Sequence, residues 1–159
     1  MTELFNRRHF DERLKEEIDR HARYGDALSL LLLDLDNFKK YNDTYGHLAG
    51  DKVITLAASQ IKSAIRSSDL AFRYGGDEFA VILPNSTTME AFNVAERVRE
   101  RVSADMSSKQ IDVTISIGVA SWPGDGATLD ELCSAADTAL YYAKRTGQNR
   151  TSIASNTLF

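Results

Sequence analysis

The sequence predicts an α/β fold of the α+β type, in which helices surround a central mixed β-sheet. Residues 28–33 form an almost unbroken aliphatic run between turn signals, and this short run indicates a strand buried on both faces. Residues 70–83 place two apolar arms around a Gly-Gly bend, which is typical of a β-hairpin. Segments of helical period separate these strands, so we expect hairpin-joined strands and helical crossovers in one sheet.

The chain begins with a predicted helix, which leads into the buried strand. In residues 10–23 apolar side chains recur at helical spacing, and Tyr24-Gly25-Asp26 follows as a stop signal. The aliphatic strand then runs over residues 28–33 and is expected to end at Asp34. Its leucines leave helix or strand open on propensity alone, and its short length decides for a strand.

Two further helices are predicted after the strand, a short one over residues 38–42 and a longer one from Gly50 to about Arg66. In the first helix and in this longer helix, we expect the apolar positions to face the core. These positions are Phe10, Leu14, Ile18, Ala22, Val53, Ile54, Leu56, Ala57, Ile61 and Ile65.

The hairpin has Leu70–Arg73 and Phe79–Leu83 as its arms, and Gly75-Gly76 at a bend where a positive φ is allowed. Two acids, Asp77 and Glu78, follow the glycines directly. An ordinary turn without a function is one interpretation, because glycine and acidic residues favour turns for local reasons. The other is a site where the bare backbone lets an anionic ligand and a metal approach, although one Gly-rich turn is a weak motif.

The second half of the chain predicts two capped helices and two strands. Capping boxes at Thr87–Glu90 and Thr128–Glu131 mark the starts of the helices. Between the helices, residues 111–120 alternate apolar with small or polar side chains, which predicts a half-buried strand. Ile153 is expected in a short closing strand.

Composition limits the possible functions. With 159 residues and 43% hydrophobic content, residues 1–159 fit one domain, and the helical sequence so near the N-terminus suggests a domain taken from a longer protein. A net charge of −4 argues against nonspecific nucleic-acid binding. No signal peptide or spanning segment is visible, so we expect a cytoplasmic domain, whose parent protein could be membrane-anchored. The single cysteine, Cys133, is expected to be a buried thiol.

Acidic residues are concentrated at two places where strands should end. Asp34 and Asp36 follow the buried strand, where a carboxylate is costly unless it is paired or bound to a cation. For Asp36, an N-cap role at the next helix is the competing interpretation. If the strand and the hairpin are neighbours, Asp34 and Asp77 can share a hard cation, and their oxygen ligands favour Mg²⁺ over Zn²⁺.

Other polar residues could complete such a site. Asn42 and Asp51 follow the first strand, and Lys144 lies near the end of the last helix. A hard cation with a nearby lysine is suited to phosphoryl or nucleotidyl transfer. His47 has no second histidine at ligand spacing, so a structural role is favoured over metal binding.

The segment Gly75-Gly76-Asp77-Glu78-Phe79, preceded by Arg73-Tyr74, resembles the signature of the diguanylate cyclase (GGDEF) family. Further segments resemble family motifs, in family order, over nearly the whole chain. These segments are Leu4-Phe5-Asn6-Arg7-Arg8, Asp34-Leu35-Asp36-Asn37-Phe38-Lys39-Lys40-Tyr41-Asn42-Asp43, Gly46-His47, Gly50-Asp51, Thr114-Ile115-Ser116-Ile117-Gly118-Val119 and Ala136-Asp137-Thr138-Ala139-Leu140-Tyr141-Tyr142-Ala143-Lys144.

The resemblance implies condensation of two GTP molecules to cyclic di-GMP, with release of two pyrophosphates, on a fold related to adenylyl cyclase and polymerase palm domains. It implies that Asp34, Asp77 and the Leu35 carbonyl hold two Mg²⁺ or Mn²⁺ ions. Asp77 is also the candidate for deprotonating the attacking 3′-hydroxyl. Glu78 is also counted among the catalytic residues, and its expected role is to support the turn.

The resemblance also implies a substrate site. Asn42 and Asp51 would read the guanine edge, and an amide with a carboxylate suits the mixed donors and acceptors of guanine. Other residues expected to contact the substrate are Phe38 and His47, Gly75 and Gly76 for close backbone approach, and Lys39 and Lys144 at the phosphates.

Arg66-Ser67-Ser68-Asp69 resembles the family's RxxD inhibitory site, at which cyclic di-GMP binds. Arginine can pair in a forked geometry with a guanine edge or a phosphate. Arg20 resembles a secondary arginine that completes this site from a neighbouring domain. Without the resemblance, a helix-ending arginine before a turn acid would be the preferred interpretation.

Because each domain would hold one GTP, the resemblance implies that two domains must face each other, and that an upstream sensor or dimerisation module brings them together. Two alternatives to an active cyclase stay open. One is a catalytically silent receptor for cyclic di-GMP, and the other is a GTP-binding regulatory module of a phosphodiesterase. Two residues depart from the family pattern: Gln148 replaces a frequent arginine, and Glu3 replaces a usual glycine.

Overall fold

A computed structural model describes residues 4–156 of the chain, and Glu3 therefore lies outside the described residues. Its elements follow the predicted order. They are α1 (Arg7–Tyr24), β1 (Leu28–Asp36), α2 (Phe38–Tyr45), α3 (His47–Ala64), β2 (Leu70–Arg73), β3 (Glu78–Pro84), α4 (Thr88–Ser108), β4 (Thr114–Trp122), α5 (Leu129–Arg145), β5 (Thr151–Ile153) and a short 3₁₀ turn (Ala154–Asn156). Within residues 4–156, no helix combines the length and apolar character that crossing a bilayer requires.

The five strands form one mixed sheet in the order β2-β3-β1-β4-β5. The central strand β1 is antiparallel to both of its neighbours, β3 and β4, and β5 pairs with β4 in parallel. The predicted central mixed sheet is therefore confirmed. The hairpin of β2 and β3 is the direct neighbour of β1, so the bend after β2 and the end of β1 lie at the same edge of the sheet.

Strand β1 is longer than its aliphatic run. It continues past Asp34 to Asp36, because its pairing with β4 reaches Thr114 opposite Asp36, whereas its pairing with β3 ends at Glu78 opposite Asp34. The expectation that the strand ends at Asp34 was wrong. Two acidic residues thus lie within a sheet ladder, in which Asp34 pairs with both neighbouring strands and Asp36 pairs with β4.

The two faces of the sheet bury different side chains. Leu31, Leu33 and Leu35 point toward the face that α3 and α4 cover, while Leu30 and Leu32 point toward the face that α1 and α5 cover. Because side chains alternate along a strand, Asp34 and Asp36 lie on the face covered by α1 and α5. The acids of β1 are therefore directed toward α5, which carries Lys144.

Strand β4 is buried on both faces, whereas the alternation in residues 111–120 predicts a half-buried strand. The observed strand also begins later, at Thr114, and runs on to Trp122. Its small residues face α5 rather than solvent. A Cβ atom at Gly118 would collide with the backbone of Ala136 and Leu140, so α5 packs directly against the strand backbone there.

The helices of the first half also differ from prediction in detail. Helix α2 extends to Tyr45 and α3 begins at His47, with Gly46 at a φ of +88° between them, so the long helix starts three residues before Gly50. In α1, Ala22 is exposed and His21 is buried in its place. Both predicted capping boxes, Thr87–Glu90 and Thr128–Glu131, are present at the starts of α4 and α5.

Candidate active site

Asp34 is a partly buried carboxylate at the end of β1. One of its oxygens, Oδ2, lies 3.4 Å from the Lys144 ammonium. The other, Oδ1, is buried and has no hydrogen-bond partner among the residues that the structure describes. Buried polar atoms are nearly always paired, so an oxygen without a partner marks a place where a ligand is expected.

The surroundings of Asp34 disfavour its negative charge. Burial raises the pKa of Asp34 to about 7, and the negative charges of Asp77 and Glu78 add to the rise, while the Lys144 ammonium opposes it. The carboxylates of the bend are thus close enough to Asp34 to repel it. Positive charge beyond that of Lys144 would stabilise the ionised group.

A backbone hydrogen bond holds the hairpin bend against β1. The amide of Leu35 donates to the carbonyl of Asp77 at 3.1 Å, and the amides of Tyr74 and Gly75 both donate to the carbonyl of Glu78. Arg73 donates from its guanidinium to the carbonyls of Gly75 and Gly76, at 3.2 and 2.7 Å. The glycine carbonyls therefore point toward Arg73, and Asp77 is held beside the end of β1.

The two glycines of the bend have separate spatial roles. Neither has a positive φ, although glycine would allow one at this bend. A Cβ atom at Gly75 would lie 2.6 Å from Oε2 of Glu78, so this glycine makes room for a carboxylate of the chain itself. A Cβ atom at Gly76 would have nothing within 4 Å, which leaves open space in front of the backbone.

Glu78 begins β3 and lies opposite Asp34 in the sheet. Its carbonyl closes the bend, and its half-buried carboxylate lies against Gly75. These contacts agree with the expected part of Glu78 in supporting the turn. Its negative charge also contributes to the raised pKa of Asp34.

Asp36 is not the N-cap of α2. Asn37 occupies that position with a φ of 63° and makes no side-chain capping bond. The carboxylate of Asp36 instead turns inward, is fully buried, and accepts hydrogen bonds from the hydroxyls of Thr114 and Ser116. This role could not be predicted from the sequence, because Thr114 and Ser116 lie on β4, far from Asp36 along the chain.

The start of α2 offers backbone donors at the same edge of the sheet. The first-turn amides of a helix have no intrahelical partner, and here no side chain caps them. An uncapped helix N-terminus attracts anions such as phosphate. Lys39 is exposed in this first turn, and Phe38 is half-buried beside it.

A second polar group lies where α2 meets α3. The amide nitrogen of Asn42 pairs with Nδ1 of His47 at 3.0 Å, while Oδ1 of Asn42 is buried and has no partner within residues 4–156. A Cβ atom at Gly50 would collide with this Oδ1 and would lie 3.2 Å from the Phe38 ring. The structure thus brings together Asn42, His47, Gly50 and Phe38, and exposed Asp51 follows Gly50 directly.

Lys144 reaches the site from α5. Its ammonium donates to the carbonyl of Leu35 at 3.0 Å and to Oδ1 of Asp36 at 2.7 Å, besides its contact with Asp34. The predicted grouping of Asp34, Leu35 and Lys144 is therefore present. Gln148 lies four residues further, in the loop after α5, with a φ of 61°.

Arg66 and Asp69 form a closed pair after α3. The guanidinium and the backbone amide of Arg66 donate to both oxygens of Asp69, whose side chain is fully buried. The same guanidinium donates to the carbonyl of Pro84 and the hydroxyl of Ser86. A cavity of about 350 Å³ borders both residues.

Arg20 lies elsewhere, on the exposed side of α1. Its ion-pair partner within the described residues is Glu17, at 3.9 Å, and it makes no hydrogen bond or ion pair with Arg66 or Asp69. The structure therefore does not bring Arg20 to the RxxD pair of its own chain. A contribution of Arg20 to that pair would have to come from a neighbouring domain.

The donor set at Asp34 fits a hard divalent cation. In residues 4–156, no cluster of three or more His, Cys, Asp or Glu side chains is arranged to hold a metal, so protein ligands alone do not form a closed cage. Mg²⁺ typically takes one or two carboxylates, together with water and substrate phosphates. Asp34 with its unpaired oxygen, Asp77 and the Leu35 carbonyl match that pattern.

Comparisons with known proteins agree with this geometry. Residues 1–150 match the family model described as diguanylate cyclase, GGDEF domain. The response regulator PleD of Caulobacter vibrioides is 42% identical over 94% of the chain, and diguanylate cyclase A of Treponema denticola is 43% identical over 99% of it. The chain spans only 34% of PleD and 44% of diguanylate cyclase A.

Solved structures give the same result. The GGDEF domain of DgcB from Caulobacter crescentus, determined with c-di-GMP, has a TM-score of 0.88 and 37% identity, covering 97% of this chain and 93% of that one. The active GGEEF domain of a diguanylate cyclase from Vibrio cholerae has a TM-score of 0.89 and 34% identity, covering 96% and 98%. The chain therefore belongs to the diguanylate cyclase family of GGDEF domains.

Proposed function

We propose that this chain is the catalytic domain of a diguanylate cyclase, which condenses two GTP molecules into cyclic di-GMP and releases two pyrophosphates. The observation that carries the proposal is the Asp34 carboxylate, which has one unpaired buried oxygen and lies beside Asp77 and Glu78 at one edge of the sheet. Membership of the diguanylate cyclase family supports this interpretation of the edge.

The reaction needs charge neutralisation and positioning. Asp34, Asp77 and the Leu35 carbonyl would hold two Mg²⁺ or Mn²⁺ ions, which neutralise the triphosphate and lower the pKa of the attacking hydroxyl. The 3′-oxygen of one GTP attacks the α-phosphorus of the other and forms a new P–O bond. The bond to the bridging oxygen of the β-phosphate breaks, and pyrophosphate leaves with that electron pair. Asp77 is the carboxylate proposed to accept the hydroxyl proton, and a second identical step closes the ring.

The guanine base is proposed to bind where α2 meets α3. The unpaired Oδ1 of Asn42 can accept from a guanine N–H, and exposed Asp51 offers a carboxylate for the neighbouring donors. Bases that leave these acceptors unpaired would be rejected, because an unsatisfied buried polar atom is costly. His47 orients the Asn42 amide through its ring nitrogen.

The phosphates are proposed to lie between this base site and the bend. The uncapped amides at the start of α2, with Lys39 and Lys144, supply positive potential there. The open space at Gly76 lets the nucleotide approach the backbone. Gln148 cannot supply the positive charge of the arginine that is frequent at this position.

Catalysis requires two such domains. One GTP per domain means that each 3′-hydroxyl must reach the α-phosphate bound by the other copy, so two domains must face each other, and an upstream module in the parent protein is proposed to hold them so. The test is to follow cyclic di-GMP formation from GTP and Mg²⁺ while the domain is diluted, alongside the domain fused to a dimeric coiled coil.

We expect turnover per domain to fall on dilution of the free domain and to stay constant for the fusion. A fused, folded dimer that binds GTP and makes no cyclic dinucleotide would contradict the cyclase proposal. Constant turnover of the dilute free domain would instead contradict the requirement for two domains.

A receptor for cyclic di-GMP is the second candidate, since the RxxD pair borders a cavity and a related DgcB domain was solved with c-di-GMP. In this chain both oxygens of Asp69 are engaged by Arg66. Product binding would therefore exchange part of this pairing for bonds to a guanine or a phosphate, with Arg20 of a neighbouring domain as the proposed third partner. In an active cyclase the same exchange would produce product inhibition.

A further inference from the structure

Asp36 is a fully buried carboxylate that the proposed chemistry does not use. It accepts four hydrogen bonds, two at each oxygen. Two come from the hydroxyls of Thr114 and Ser116 on β4, and the other two from the Lys144 ammonium at 2.7 Å and the Asn149 amide at 2.9 Å. A buried charge is tolerated only when it is paired and hydrogen-bonded, and this one is satisfied at every side.

The partners of Asp36 differ in what they do elsewhere. The two hydroxyls belong to the neighbouring strand and keep the carboxylate in place. The Lys144 ammonium also donates to the Leu35 carbonyl and lies 3.4 Å from Asp34, so it touches two of the proposed metal ligands. A lysine side chain has a flexible four-carbon stem, and a charged partner at its tip is what fixes its position.

Asn149 belongs to a turn with an unfavourable backbone. Gly147, Gln148 and Asn149 have φ values of 132°, 61° and 47° in succession. Left-handed conformations are costly for residues other than glycine and persist where surrounding contacts enforce them. The bond from the Asn149 amide to Asp36 is such a contact, and it fixes the turn that carries Gln148 next to the site.

We infer that Asp36 is a positioning residue. It holds the Lys144 ammonium beside Asp34 and the Leu35 carbonyl, and it fixes the 147–149 turn, so that the cation meeting the triphosphate is in place before the nucleotide binds. The nucleotide part of this inference rests on the proposed function. The anchoring of Lys144 by Asp36 is a property of the chain by itself.

The test is a double-mutant cycle between Asp36→Asn and Lys144→Met, with binding of a non-hydrolysable GTP analogue and Mg²⁺ measured by calorimetry. Asparagine keeps the size of the side chain and removes its charge. We expect Asp36→Asn to weaken binding by about tenfold in the presence of Lys144, the effect of losing a charge-assisted hydrogen bond. In the Lys144→Met background the same change should alter binding by less than about twofold, because the residue through which it acts is absent.

Ser116→Ala is the control, because it removes a neutral donor to the same carboxylate oxygen and leaves the charge in place. Its effect on analogue binding should stay below about twofold, the range expected for an uncoupled change. Equal losses for Asp36→Asn in both backgrounds would overturn the inference, since Asp36 would then act independently of Lys144.

A second measurement covers the case in which Asp36→Asn does not fold or the wild type binds no nucleotide. The ¹⁵Nζ signal of Lys144, assigned by its loss in Lys144→Met, is recorded by NMR in the wild type without nucleotide. We expect slow proton exchange and restricted motion, because three oxygens surround the ammonium. A Lys144 signal as mobile as those of the exposed lysines would overturn the anchoring by itself, whereas absent nucleotide binding alone would contradict only the proposed function.

Discussion

At Gly76 the folded chain has room for a side chain, but a side chain there would occupy the space proposed for the nucleotide. Its φ is not positive, and a Cβ atom there would touch nothing within 4 Å. We therefore expect Gly76→Ala to change the free energy of unfolding by less than about 0.5 kcal/mol. The same change should weaken GTP binding, because the added methyl group enters the space through which the nucleotide approaches.

Gly124→Ala is the matched control for this prediction. Gly124 also has open space around it and lies in the loop after β4, away from the proposed site. Calorimetric titration of a GTP analogue into both variants should show weaker binding for Gly76→Ala alone. Unchanged binding by Gly76→Ala would show that close approach at this glycine is not required.

The raised pKa of Asp34 predicts that the stability of the domain depends on pH. The pKa of Asp34 is raised from 3.8 to about 7 in the folded domain, so the folded state holds a proton that the unfolded state has already released between those values. Stability is linked to this difference, and the contribution of protonated Asp34 is lost as the pH rises through 7. An asparagine remains neutral throughout.

We therefore expect the free energy of unfolding of Asp34→Asn, relative to that of the wild type, to be larger at pH 8 than at pH 5. Urea unfolding at both pH values, with a chelator present, measures this difference. Asp43→Asn, an exposed change on α2, serves as the control and should show no such gain. A constant difference between Asp34→Asn and the wild type at both pH values would mean that Asp34 ionises normally.

Single residues differed in how far their roles could be predicted. The grouping of Asp34 with Asp77 followed from strand ends and a bend that share one sheet edge. The role of Asp36 did not, because an N-cap and a buried acceptor look alike locally, and its partners Thr114 and Lys144 are 78 and 108 positions away. The closed Arg66–Asp69 pair was equally hidden, since sequence does not show whether two side chains pair with each other or with a ligand.

At the scale of elements, the contact between α5 and β4 sets the position of Lys144. Gly118 lets the helix backbone lie directly against the strand. We expect Gly118→Ala to destabilise the domain by about 1–3 kcal/mol or more, because overpacking against a backbone cannot be relieved by side-chain movement. Gly124→Ala, which meets no neighbour, should leave stability nearly unchanged.

Thermal and urea unfolding of these two glycine variants check this prediction. Equal stability of Gly118→Ala and Gly124→Ala would mean that α5 packs less closely on β4 than the structure shows. If Gly118→Ala folds, the shift of α5 should also displace Lys144. Binding of the GTP analogue should then weaken as well.

The order and type of the elements could be predicted well, because capping boxes and apolar period mark helices and strands locally. The burial of β4 could not. Its alternation of large and small residues is typical of a strand with one solvent-exposed face. Only the packing of α5 shows that Ser116, Gly118 and Ala120 are buried. The length of β1 was missed for a related reason, since pairing with β4, which comes much later in the chain, carries the strand past Asp34.

At the scale of the whole molecule, the Arg66–Asp69 pair lies in the connection between α3 and β2, apart from the proposed catalytic site at the end of β1. Removing the Arg66 side chain should weaken binding of cyclic di-GMP and also take away the guanidinium donors of the buried Asp69 carboxylate, which keeps the backbone amide of residue 66 as a donor. We therefore expect Arg66→Ala to lower both product affinity and stability, the latter by about 1–3 kcal/mol for an unsatisfied buried group.

The double variant Arg66→Ala with Asp69→Asn separates the two effects. It should recover part of the lost stability, because no charge is left unpaired, while product binding stays weak. Calorimetry with cyclic di-GMP and urea unfolding give the two readouts. Wild-type affinity in either variant would place product binding elsewhere on the domain.

The central claim is that Asp34 and Asp77 act together at one edge of the sheet to convert GTP into cyclic di-GMP. The most direct test compares the wild type with Asp77→Asn, both as enforced dimers, in turnover of GTP with Mg²⁺ and identification of the product. We predict cyclic di-GMP and pyrophosphate from the wild type, and a loss of at least about a hundredfold for Asp77→Asn, in the range of removing one charged catalytic group. Product formation by Asp77→Asn at the wild-type rate would contradict the account.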